Sequence, residues 1–276
     1  MLSADDPLDR VVALALALAL AALLVVRAVL KDRREYARFR RYRSTARRQA
    51  MLRRWLVESL VLFGGSAAVL LAIVPAQLAP VLEQTQGVPW IAAVRGFLAS
   101  APGLAGLVIA AVGTVLLTAV GLRSARREGG VVMVGDIAAL LPRNRPELAW
   151  GAGLSLTAGV VEELLFRLAL PALLFVVTGE PVSAFALALL VFATLHAYQG
   201  VAGVAGTALV GLLLTAVYVL SGSIVAAILA HAIVDLRTLV LVPVAVYGVH
   251  RVPGSLRMPP PLAAVRLRES GHPDRS

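Results

Sequence analysis

Residues 147–177, ELAWGAGLSLTAGVVEELLFRLALPALLFVV, form a run apolar enough to cross a membrane except for three ionisable residues in its second half, Glu162, Glu163 and Arg167. A span needs about 20 predominantly apolar residues. Charges at bilayer depth are costly, so they face a protein interior or a water-filled cavity and mark function by default. The run is too long for a perpendicular span, and Pro171, four residues after Arg167, is expected to kink or end its helix.

Outward from this run the chain keeps the same character. Of its 276 residues 59% are hydrophobic and only 15% charged, with mean hydropathy +0.84, against roughly 25% charged in a soluble domain. Six further hydrophobic segments lie near 10–30, 55–80, 102–122, 182–199, 201–220 and 222–248. The fold expected is all-α: a polytopic membrane bundle of about seven transmembrane helices with a polar cavity inside the membrane. The first segment follows Asp5, Asp6 and Asp9 rather than a positive cluster, so it reads as a retained span and not a signal peptide. Gly200, Gly203, Gly206 and Gly211 read as close-packing positions between helices.

The formal charge of +10 sits largely in one place. Residues 31–54 hold eleven basic residues against Asp32 and Glu35. Flanked by hydrophobic spans, this loop is expected to be cytoplasmic and to meet anionic lipid headgroups, which leaves no role for nucleic acid. The basic stretch 123–145 and the tail arginines fall on the same side if seven spans begin from an outside N-terminus. Lys31 is the only lysine among 26 basic residues. That composition suggests a GC-rich genome, and the location expected is a bacterial inner membrane. Residues 1–100 read as N-terminal membrane helices carrying the basic loop, 101–249 as the core, and 250–276 as a disordered, Pro-rich tail. The absence of cysteine excludes disulfides, thiolate metal sites and a Cys nucleophile.

On a helix, Glu163 and Arg167 share a face about 6 Å apart along the axis and can neutralise one another. Glu162 projects about 100° away, so Arg167 cannot serve both glutamates equally. Of the four histidines, His196 and His231 lie within hydrophobic segments; Phe192 precedes His196 by four and Asp235 follows His231 by four. Each polar residue alone reads as a packing or hydrogen-bonding group. Together, two histidines and a carboxylate with a free glutamate supply potential Zn2+ ligands (His196, His231, Asp235) and a general base, although a metal-free site is equally built from them.

These motifs, EELLFR (162–167), FATLH (192–196) and HAIVD (231–235), resemble the EExxxR, FxxxH and HxxxN/D motifs of the CPBP intramembrane proteases, which include the CAAX prenyl endopeptidases and the bacterial Abi, bacteriocin-processing proteins. The resemblance covers residues 135–245. It implies hydrolysis of peptide bonds in a membrane-associated or CAAX-like protein or peptide. Glu162 would activate water, Glu163 and Arg167 would be the supporting pair, and His196, His231 and Asp235 would hold the water, a metal, or both. Many members carry Asn where this chain has Asp235; an ionised carboxylate can only accept hydrogen bonds, which fits a metal ligand better than an oxyanion donor. Two other classes compete. An ion- or proton-coupled transporter would show proton-dependent flux in vesicles. A noncatalytic membrane scaffold would keep its role after Glu162→Gln.

Overall fold

The computed structural model describes residues 2–3, 6–131 and 133–254, so most of the Pro-rich tail lies outside the described residues. What is described is helical, with no strand. Nine helices organise it: α1 (Pro7–Phe39), α2 (Thr45–Ile73), α3 (Leu78–Gly87), α4 (Pro89–Ala99), α5 (Ala101–Glu128), α6 (145–178), α7 (Pro181–Leu195), α8 (Ala197–Ser221) and α9 (Ile224–Ala245). Five of them, α1, α2, α5, α8 and α9, are long and apolar enough to cross a membrane. The other two of the seven expected segments are α6, with Glu162, Glu163 and Arg167 in its middle, and α7, whose 15 residues span only about 22 Å at 1.5 Å per residue. The protein is an integral membrane protein built as a helical bundle.

Helix α6 is central. It packs most extensively on α9, and its neighbours also include α1, α2 and α7. Its first turn is capped by Asn144, whose side chain accepts from the Glu147 N–H, with Pro146 near the start where its missing N–H is harmless. Pro171 does not end the helix. Residues Leu164–Ala169 form a wider turn in which the Leu170 N–H reaches back five residues to the Leu165 carbonyl, and the helix then runs on to Thr178. A wide turn inserts one extra residue and shifts the hydrogen-bond ladder, so the proline is absorbed rather than expelled. Similar turns occur at Ala28–Asp32 in α1, Leu60–Gly64 in α2 and Arg237–Leu241 in α9. All four contribute side chains to one internal cavity.

The basic stretch 31–54 is mostly helical, turning only around residues 40–44. Part of its charge points inward. Lys31 and Arg54 bind Glu35 and Glu58, Arg40 pairs with Asp136, and Arg48 is buried against Glu147. Arg33, Arg34, Arg38, Arg41, Arg43, Arg47 and Arg53 stay exposed. Beyond α9, the Val252 carbonyl accepts from the Arg145 N–H, so the chain returns to the start of α6 before residue 254.

Candidate active site

The site begins at the closest approach of α6 and α9. A Cβ placed on Gly159 would stand 3.1 Å from the Ala232 backbone nitrogen, so only glycine lets the two helices come this near. That approach sets His231 directly over Glu163, with His231 Nδ1 at 2.7 Å from Glu163 Oε1. The same carboxylate oxygen pairs with Arg167 Nη1 at 3.0 Å. Glu163 and Arg167 are 0% and 1% exposed, and they lie behind the cavity wall rather than on it. Arg167 also donates from Nη2 to the Gly211 carbonyl at 3.2 Å, and its guanidinium lies 4.2 Å from the centre of the Phe192 ring. A side chain at Gly211 would strike Phe192 at 2.9 Å, so this glycine admits both the ring and the guanidinium.

Glu162 falls on the other side of α6, as its rotation from Glu163 requires. It lines a cavity of about 650 Å³ together with His196, His231 and Asp235. Around this polar floor the cavity is apolar, with Leu24, Leu62, Phe63, Phe166 and Val242 among its walls. Leu24, Leu62 and Phe63 come from the first hundred residues, so α1 and α2 build one wall of the site. No hydrogen bond within the described residues engages the Glu162 carboxylate, whose charged neighbours are His231, Asp235, Glu163 and Arg167.

The two histidines have fixed tautomers. His196 Nδ1 stands 3.0 Å from the Phe192 carbonyl oxygen, which can only accept, so Nδ1 carries hydrogen and the neutral ring leaves Nε2 bare. His231 is oriented in the same way by Glu163, and its Nε2 lies 3.8 Å from Asp235 Oδ2, too long for a hydrogen bond. Phe192 unites the group: its ring centre is 5.0 Å from that of His196 and 6.4 Å from that of His231, with Arg167 against its face.

Among the described residues no three His, Asp or Glu side chains form a group that could hold a metal ion. His196 and His231 each have one ring nitrogen held, by the Phe192 carbonyl and by Glu163, and they lie on different helices. The residues as placed form no such group of three, and no step below is routed through a metal.

Sequence reasoning missed a second buried cluster at the opposite end of α6. Arg48 Nε binds Glu147 Oε2 at 3.0 Å, and Arg48 Nη2 donates to the Ala139 and Leu141 carbonyls. Glu147 also accepts from the Arg143 N–H and from Asn144 Nδ2, which in turn donates to Thr45 Oγ1. Burial, with Arg48 close by and Glu147 opposing, holds the Arg143 guanidinium down to about 10. The signal was present as Asn144 followed by Glu147, a helix-capping pattern, but nothing local pointed to Arg48 as its partner.

Comparison with known families adds one finding. Residues 144–237 match the Rce1-like family, described as type II CAAX prenyl endopeptidase Rce1-like. Those residues belong to the CAAX protease family. The CAAX protease match begins at the Asn144 cap and ends two residues past Asp235, so it encloses Glu162, Glu163, Arg167, His196, His231 and Asp235. No curated protein and no solved structure matches the chain significantly. The family is one of membrane endopeptidases, which act on membrane-associated peptides or proteins.

Proposed function

We infer that this chain hydrolyses peptide bonds of a CAAX-like or other membrane-associated substrate inside the bilayer, with Glu162 as the base. The observation that carries this reading is the shared cavity: Glu162 has no competing hydrogen bond there, and His196, with its bare Nε2, and His231 line the same space. A base free of internal partners is available to a water, and the bare His196 Nε2 can accept one of that water's hydrogens. The water oxygen adds to the carbonyl carbon as Glu162 takes one of its protons, and the carbonyl electron pair moves onto oxygen. Collapse of that oxyanion breaks the C–N bond, and Glu162 returns its proton to the leaving nitrogen. Products are one new carboxyl group and one new amine.

Glu163 and Arg167 act through His231. Their pair holds the imidazole from behind and fixes its tautomer. The apolar walls suit an extended hydrophobic peptide segment with the scissile bond over the polar floor. The exposed arginines of 33–53 face the cytoplasmic leaflet of a bacterial plasma membrane, where anionic headgroups attract them. The test uses the full chain in proteoliposomes with a farnesylated, internally quenched CAAX-type peptide. Glu162→Gln is expected to lower kcat by about 10²–10⁴ while leaving thermal unfolding and membrane insertion unchanged. Cleavage at the wild-type rate by this variant would overturn the assignment.

A further inference from the structure

Charge that develops on the carbonyl oxygen must be met by hydrogen-bond donors, and Glu162 and His196, which handle the water here, are acceptors. His196 presents a bare Nε2 to the cavity and Asp235 as a carboxylate only accepts; His231 Nε2, 3.8 Å from Asp235 Oδ2 and so outside hydrogen-bond distance of it, can donate only when the ring is protonated. Among the other polar groups on the cavity wall, several donors are committed. Tyr36 donates to the Asp136 carbonyl, Trp55 to Glu35, Thr238 to the Val234 carbonyl, and Arg27 to Glu58. Tyr198 differs. Its hydroxyl oxygen accepts from Gln199 Nε2 at 3.0 Å, which leaves the hydroxyl hydrogen uncommitted.

Position singles out Tyr198 from the remaining hydroxyls. It lies two residues beyond His196, in the tight turn Ala197–Gln199, with its ring centre 6.1 Å from that of His196. It lines the same cavity as Glu162 and Asp235. The turn is held from two sides. The Tyr36 ring packs on Tyr198 with centres 5.2 Å apart, and the Gln199 carbonyl accepts from the Asp136 N–H. A donor fixed in this way needs no reorganisation when charge appears.

We propose that Tyr198 is a catalytic residue of this site, donating its hydroxyl hydrogen to the oxyanion formed when water adds to the scissile carbonyl, with Gln199 orienting the hydroxyl. The proposal rests on the Glu162-activated hydrolysis above. Tyr198 gives a hydrogen bond and not a proton, so the oxyanion collapses as before and the phenol is unchanged after turnover.

The test compares wild type, Glu162→Gln, Tyr198→Phe, Asp235→Asn and the Tyr198→Phe/Asp235→Asn double variant on the same farnesylated peptide in proteoliposomes. Tyr198→Phe keeps the ring against Tyr36 and is expected to lower kcat by about 10² with KM changed less than about threefold, as for loss of one oxyanion donor. Asn at 235 introduces an amide donor into the same cavity, so Tyr198→Phe is expected to lower kcat less than about tenfold in that background. Wild-type kcat in Tyr198→Phe, with Glu162→Gln inactive, would overturn this proposal and leave the general base standing. An equal loss in both backgrounds, accompanied by a lowered unfolding temperature, would assign Tyr198 to packing and overturn it as well. Failure of the wild type to cleave, or full activity in Glu162→Gln, would bring down both readings.

Discussion

Helix α6 carries two buried arginine–glutamate pairs of nearly the same local geometry. In each the ions stand 3.0 Å apart, the side chains are 0–1% exposed, and the guanidinium lies 4.2 Å from the centre of a phenylalanine ring, Phe39 for Arg48 and Phe192 for Arg167. They differ in what surrounds the carboxylate. Glu147 engages both oxygens with Arg48, the Arg143 N–H and Asn144. Glu163 engages only Oε1, shared between Arg167 and His231, and its Oε2 has no hydrogen-bond partner among the described residues. The first pair ties the starts of α2 and α6 to the 139–147 segment. The second supports a cavity-facing histidine. Pair geometry alone does not distinguish a structural clamp from part of an active site; the destination of the remaining donors and acceptors does.

The sharpest way to break this comparison is to disrupt each pair from one side. Arg48→Ala and Glu163→Gln each leave an unpaired buried group, and each is expected to lower unfolding free energy by about 3–5 kcal/mol. Activity should separate them. Arg48→Ala should retain kcat per folded molecule, whereas Glu163→Gln should also lose catalysis because a neutral amide oxygen holds the His231 ring less firmly than the carboxylate does. Thermal unfolding in detergent beside kcat normalised to folded protein reads both effects, and equal catalytic loss in the two variants would erase the distinction.

A smaller effect sharpens it. Replacing both members of a pair by apolar residues removes the stranded charge, which is often neutral or stabilising. Arg48→Met with Glu147→Leu is expected to recover most of the stability and all of the activity. Arg167→Met with Glu163→Leu is expected to recover stability alone.

Asp235 gives a smaller change again. With no such group of three side chains among the described residues, chelator treatment should leave wild-type cleavage within about threefold, and Asp235→Asn should preserve or raise it because the amide can donate to an oxyanion. Stoichiometric metal in the purified protein, with loss of activity on chelation and recovery on zinc addition, would contradict the donor-set reading. The smallest effect belongs to the exposed arginines. Arg41→Gln and Arg43→Gln should alter unfolding free energy by less than about 0.5 kcal/mol, against the large loss at Arg48 in the same basic stretch.

Much of this was legible in the chain. Composition and segment length dictated helices in a membrane, because lipid leaves no other way to satisfy the backbone of these apolar runs. The rarity of charge in them marked Glu162, Glu163, Arg167, His196, His231 and Asp235, and helical spacing told Glu162 from Glu163. Local rules also had limits. Pro171 read as a break, yet the wide turn at Leu164–Ala169 absorbs it within a continuous helix. Arg48 read as one of eleven basic residues bound for the membrane surface, yet it is internal, because its acceptors come from residues 139–147, about a hundred positions away.

What the sequence determined by itself was an all-helical membrane protein and the short list of residues whose charge or ring nitrogen has no place in lipid. Periodicity and the cost of burying charge act locally, so they can be read from the order of residues. Only the tertiary structure decided which nitrogen of His196 is free, that Glu163 contacts His231 while Glu162 faces the cavity, and that Tyr198 keeps an uncommitted hydrogen on the same wall. Those outcomes depend on where α6, α7, α8 and α9 meet, and a hydrogen bond between residues 68 positions apart, as in His231 to Glu163, has no signature in the local pattern of either segment.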